Sequence, residues 1–175
     1  AILVIDVIND FFDRKGTLFV PDAPKTLPNI HDLLEKADKA KIPIFFCNDE
    51  HAEDDPEFAI WPKHAIKGTW GSQIVSNLEG GENDIEVKKL RYDPFYATNL
   101  DHLLRLKNIK NLIIVGTVAN ICVLAACHSA ALRWYGITVP LDCISALNPE
   151  GMDIAIKQIT NIYQGKVIKS QEEIE

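Results

Sequence analysis

No run of apolar residues in this chain reaches the length of a membrane-spanning segment. Its 175 residues hold four cysteines, without the dense spacing of a disulfide scaffold, which sets the expectation of a reducing, cytoplasmic setting. No basic n-region precedes an apolar h-region; the sequence starts with the strand-like Ala1-Ile-Leu-Val-Ile5, an expectation against a secretory signal. Positive charge is in short supply. Eighteen lysines and arginines face 25 aspartates and glutamates, and the net charge of −7 disfavours nucleic acid or an anionic membrane as partner. Linkers, internal repeats and low-complexity stretches are absent. So is a glycine-rich phosphate loop after the first strand, where Val7-Ile-Asn-Asp-Phe11 stands instead; this weighs against a flavodoxin-like nucleotide-binding protein.

What is present is an alternation of strands and helices. Ala1–Ile5, Pro43–Cys47, Ile85–Lys88, Asn111–Val115, Ile137–Leu141 and Lys166–Ile168 read as strands. Helices are expected over Pro28–Lys41, Gly71–Leu78, Thr98–Lys107, Val123–Tyr135 and Gly151–Tyr163, with a turn at Gly80-Gly81. Apolar strands separated by helices give a three-layer α/β/α fold with a mostly parallel six-stranded sheet. One domain over residues 1–175 is expected, burying about 70% of its unfolded surface. Pro140 points to irregular pairing in the fifth strand or to an edge position. The Asn48–Thr69 segment is long for a connection, and such loops tend to carry function.

Open parallel sheets bind ligands beyond the carboxyl ends of their strands. Asp6, Asp49 and Lys89 end the first three strands, and Cys122 lies just past the fourth. All four therefore fall on one edge. Cys122 precedes an Ala-rich helix, where unpaired N–H groups and the helix dipole favour thiolate and bring such thiols to roughly 3.5–7.5. The alternative is a small buried residue, as Cys47, Cys127 and Cys143 read. Asp6 is either functional or satisfies loop N–H groups, work for which Asn9 and Asp10 are better placed. Strand alternation puts Lys89 on the inner face with Ile85 and Val87, and Glu86 with Lys88 on the wetter one. Lys89 is then a partner for two anions, or a snorkelling chain end.

Four stretches resemble the isochorismatase-like cysteine hydrolases, a family with a Rossmann-like fold that includes nicotinamidases. They are Ile2-Leu-Val-Ile-Asp-Val-Ile-Asn-Asp-Phe11; Lys89-Leu-Arg-Tyr92 with Phe95 and Thr98-Asn-Leu-Asp101; Gly116-Thr-Val-Ala-Asn-Ile-Cys-Val123; and the Ala-rich helix through Gly136-Ile-Thr-Val139 to Asp142. The resemblance implies a catalytic triad of Asp6, Lys89 and Cys122, the residues the strand ends pick out. It also implies a cis peptide at Thr117–Val118 and an oxyanion hole from the N–H groups of Val118 and Cys122. Ile8 and Asn120 depart from the family, standing where Gln and Asp are frequent.

Asp49-Glu-His51 and His64, within Trp61-Pro-Lys-His64, form a second constellation. Histidines in an acidic loop are ordinarily just solvated, though imidazole suits Zn²⁺, Fe²⁺ or Mn²⁺. Nicotinamidases carry this order of residues, so the resemblance implies a divalent metal, zinc foremost, on Asp49, His51 and His64. It further implies Phe11 and Trp61 as walls for the substrate ring, and a homo-oligomer. The expected function is a cysteine-dependent amidohydrolase cleaving a small carboxamide through a thioester, nicotinamide first. N-carbamoylsarcosine or ureido-acid hydrolysis is the alternative within the family. A thiol-sensing or ligand-binding module is the alternative outside enzymes.

Overall fold

In the computed structural model, residues 1–76, Leu78, Gly81 and 84–173 are described. The strands form where β-branched and aromatic residues run without interruption. Strands β1 (Ile2–Ile5) and β2 (Ile44–Asp49) are buried at every position, which requires cover on both faces. The short helix α1 (Asn9–Phe12) and the long α2 (Ala23–Lys39) lie between them in sequence. β3 (Asp84–Lys89), α3 (Leu100–Leu106), β4 (Asn111–Thr117), α4 (Leu124–Leu132) and β5 (Gly136–Pro140) follow. β6 (Ile144–Ser145), α5 (Pro149–Asn161) and β7 (Lys166–Ile168) complete the order.

Among the described residues the sheet has seven strands in the order β3-β2-β1-β4-β5-β7, with β6 pairing β4, and each of these strand pairs is parallel. The seventh strand explains Pro140. β4 pairs β5 only from Asn111 to Ile113; β5 then turns away, and Ile144 and Ser145 take over at Gly116 and Thr117. One core packs Leu3, Ile5 and Phe45 against α3, α4 and α5, including Leu104, Ala126 and Ile159. The other packs Ile2, Val4 and Phe46 against α1 and α2, including Phe11, Ile30 and Leu34. Among the described residues no helix is long and apolar enough to cross a membrane.

Three expectations need correction. The second helix starts at Ala23, before Pro28, which sits inside it; burial of Ala23, Thr26 and Ile30 outweighs the single amide bond that Pro28 forgoes. The helix expected over Gly71–Leu78 is only a 3₁₀ turn at Trp70–Ser72. Its Asn77, and Gly80 of the expected turn, lie outside the described residues. The cysteine-bearing helix opens with a π turn, Ala119–Val123, so Cys122 sits within the first turn instead of ahead of it.

Strand order reverses between β1 and β4, where the chain runs outward to either side. Gly116 makes that seam possible. Its φ is +113°, and a Cβ there would meet the Ile5 carbonyl oxygen at 2.0 Å.

Candidate active site

The first three strands deliver their charged termini to one point. Asp6 follows β1 with φ of 52°, a left-handed conformation that aspartate tolerates better than most residues. Its Oδ1 accepts a hydrogen bond from the Asp49 N–H at 2.9 Å. Along β3 the buried positions are Val87 and Lys89 and the exposed ones Glu86 and Lys88, as alternation predicts. Lys89, 1% exposed, donates from Nζ to Asp6 Oδ2 at 2.8 Å and to Asp49 Oδ1 at 2.6 Å. One atom each from Asp6, Asp49 and Cys122 lies within 4.8 Å of the other two. Asn9 and Asp10 take the loop-satisfying role: Asp10 accepts from Thr17 and Ala65 N–H groups, and the Asn9 amide donates to the Trp70 carbonyl.

The electrostatics reverse one expectation. Burial, aided by Asp6, pushes the Cys122 thiol well above its ordinary value, although Lys89 works the other way. Desolvation outweighs the Lys89 charge and favours the thiol over the thiolate. Burial and the Asp49 charge raise Asp6 to about 6, against Lys89. Asp6 is thereby a stronger base than a solvated aspartate. Burial acts to raise Asp49 too, but the Lys89 charge and the nearby His51 and His64 rings outweigh it and hold that carboxyl well below its usual range. Lys89 is desolvated, yet Asp49 and Asp6 raise it well above an ordinary lysine.

The Asn48–Thr69 loop folds inward. His51 is fully buried and His64 nearly so, each with Nε2 at 3.8 Å from Asp49 Oδ2. His64 Nδ1 lies 2.7 Å from the Pro62 carbonyl, which can only accept, so in the neutral ring that nitrogen carries the proton and Nε2 the lone pair. His51 Nδ1 lies 3.0 Å from Asp55 Oδ2, and its buried Nε2 has no hydrogen-bond partner. Burial opposes protonating either ring, but Asp49 prevails and both titrate above the ordinary imidazole value. Two imidazole lone pairs and a carboxylate oxygen, all within 4.8 Å of one another, fit a divalent cation.

Cys122 opens into a pocket with about 380 Å³ of empty space, mouth included. Phe11, Trp61, His64, Asp49 and Val118 line it as well, whereas Asp6, Lys89 and His51 are not among its lining residues. The peptide between Thr117 and Val118 is cis. The Val118 carbonyl accepts from the N–H groups of Ile121 at 2.9 Å and Val123 at 3.2 Å, passing over Cys122 between them.

Sequence reasoning missed four residues here. Tyr92 lines the pocket, and its hydroxyl accepts from Trp61 Nε1 at 2.9 Å. Glu57 lines it too, with Oε2 buried and unpartnered. Asp55 and Arg91 stand behind His51. The acidic loop is therefore not simply solvated: Asp55 and Glu57 are buried, while Glu53 and Asp54 are exposed. Asp55-Pro56 was the available signal, since Asp before Pro opens a turn.

Comparison with known proteins places these features in context. The profile of the isochorismatase domain matches residues 1–172. The ureidoacrylate amidohydrolase of Rhizobium rhizogenes is 39% identical, over 86% of this chain and 72% of that protein. The crystal structure of N-carbamoylsarcosine amidase from Thermoplasma acidophilum is 34% identical, with TM-score 0.89, over 99% of this chain and 97% of that one. The pyrazinamidase/nicotinamidase of Streptococcus mutans UA159 is 28% identical, with TM-score 0.90, over 95% and 98% of the two chains.

Proposed function

The chain belongs to the isochorismatase family, and from that premise we propose that it hydrolyses a small uncharged carboxamide, nicotinamide to nicotinate and ammonia, through a thioester on Cys122. Hydrolysis of a C–N bond is common to its amidohydrolase relatives; the substrate is the finer reading. One observation carries it: the pocket at Cys122 is walled by Phe11 and Trp61 and charged only by Asp49 and Glu57, with no lysine or arginine lining it among the described residues. Such a cleft, walled by aromatic and apolar side chains, favours a flat ring over a flexible ureido acid.

Asp6 takes the thiol proton as Sγ attacks the amide carbon. The N–H groups of Val118 and Cys122 receive the oxyanion; one such donor is typically worth roughly 3–4 kcal/mol of barrier. Asp6 returns the proton to the departing nitrogen, which leaves as ammonia. Water, deprotonated by Asp6, then hydrolyses the thioester and restores the thiol. Lys89 keeps its charge throughout and holds Asp6 in place. Asp49, His51 and His64 would hold a divalent cation such as zinc, which supplies a Lewis-acid anchor for the ring nitrogen of the substrate.

Cleavage of N-carbamoylsarcosine or a ureido acid is the second reading, favoured by the 34% and 39% identities to enzymes of those names. Ammonia release measured side by side on nicotinamide and N-carbamoylsarcosine decides between them, with faster turnover of the second overturning the first. The Cys122→Ala variant is expected to fold and to release no ammonia from either; substantial residual turnover would exclude the thioester route. Metal analysis of the purified protein is expected to find a divalent ion that the His51→Ala variant loses.

A further inference from the structure

Resting on the metal reading above, we propose that Asp55, itself held by Arg91, is the positioning residue of His51, fixing the ring so that Nε2 is presented unprotonated to the cation. Arg91 lies two residues beyond Lys89, and its Nη1 stands 3.1 Å from both carboxylate oxygens of Asp55. Asp55 Oδ2 in turn lies 3.0 Å from His51 Nδ1. An ionised carboxylate accepts and never donates, so the shared proton belongs to Nδ1, which in the neutral ring that a cation requires leaves the lone pair on Nε2. The other neighbour of Nε2, Asp49 Oδ2 at 3.8 Å, is too distant for a hydrogen bond, which leaves Nε2 buried and unpartnered. A buried acceptor in that state calls for an electrophile.

The two histidines are set in different ways. His64 is oriented by the Pro62 carbonyl, a main-chain group that no substitution removes. His51 depends on a side chain, and that side chain on a cation from another strand end. Arg91 has a reason to be there. Asp55 is 9% exposed, and a carboxylate that deeply buried calls for a counter-charge. Arg91 also stands 3.6 Å from Glu57 Oε2, so the same cation faces both buried carboxylates of this loop.

Asp55 has a structural duty as well: its Oδ1 accepts from the Glu57 N–H at 2.9 Å and caps the Pro56–Ala59 turn. The experiment must separate the two roles. Asp55→Asn keeps the shape and the cap acceptor but turns an amide NH₂ toward His51, which forces the ring proton onto Nε2. Zinc affinity would be measured by competition with a chromophoric chelator for the wild type, Asp55→Asn, Arg91→Met and Arg91→Lys, with thermal unfolding of each metal-free protein alongside. The expected result is zinc binding weakened about 10- to 100-fold in Asp55→Asn, the usual effect of losing a partner behind a metal ligand. Arg91→Met should weaken it in the same direction and Arg91→Lys restore most of it, with metal-free unfolding temperatures near wild type. Asp55→Asn binding zinc within about twofold of wild type would overturn the proposal. If that variant does not fold, Arg91→Met decides on the same criterion. A wild-type chain that binds no zinc would overturn the metal reading and this assignment together, whereas tight wild-type binding with unaltered variants overturns this assignment alone.

Discussion

A thiol raised by burial beside a carboxylate raised to about 6 forms a pair in which the proton has somewhere to go. Were Cys122 a permanent thiolate, Asp6 would have no work as a base; with the thiol favoured, the proposed mechanism makes the charge on Asp6 the condition for attack. The raised value has opposite consequences for activity and for stability. Above about pH 6 Asp6 is a carboxylate and competent; below it the base is protonated, and kcat/KM should fall about tenfold per pH unit. For folding, a carboxyl that binds its proton more tightly in the native state than in the unfolded chain adds stability as pH falls from about 6 toward 4. Asp49, depressed, acts in reverse: its contribution is present above the unfolded carboxyl value near 4 and is lost only below it. Between about pH 4 and 6 the protein should therefore lose kcat/KM while circular dichroism and unfolding temperature hold. A flat kcat/KM down to pH 4.5 in folded protein would remove Asp6 as the base.

At the level of elements, the seam between β1 and β4 has least room for change. Gly116 pairs Ile5 in the register, its φ of +113° suits glycine alone, and a methyl group would sit 2.0 Å from the Ile5 carbonyl oxygen. Gly116→Ala should cost about 3 kcal/mol, the upper end for overpacking, and displace the Thr117–Val118 loop with it; urea denaturation measures the first and loss of turnover the second. A variant as stable as wild type would mean that the two strands part more readily than their contact implies. The same seam divides what the sequence reveals from what it hides. Lys89 was legible because alternation is local: two residues either side settle which face it takes. Asp6 and Asp49 were legible because carboxylates closing apolar runs mark the binding edge of a parallel sheet. The phase of the cysteine helix was not, since a π turn opens it and nothing in Ala119–Val123 announces one. Nor was the burial of Asp55, which depends on Arg91, 36 residues away and beyond any local pattern. β6 stayed hidden because two residues, Ile144 and Ser145, carry no periodicity; their strand exists only because β5 turns away at Pro140.

The whole molecule carries a net charge of −7, and its candidate pocket adds Asp49 and Glu57 to that field with no lysine or arginine lining it among the described residues. Lys89 is not available to an incoming anion, because its ammonium is already shared between Asp6 and Asp49. A substrate bearing a carboxylate would approach against the field, whereas an uncharged amide is indifferent to it. Ionic strength separates these cases without any substitution. Raising salt from about 10 mM to about 150 mM shortens the screening length from about 30 Å to about 8 Å. For nicotinamide, kcat/KM should stay flat across that range. For N-carbamoylsarcosine, whatever its absolute rate, kcat/KM should rise as the repulsion is screened. A steep fall with salt for N-carbamoylsarcosine would show that a cation held by Asp49, His51 and His64 outweighs the charge of the chain, and the electrostatic case for an uncharged substrate would fail with it.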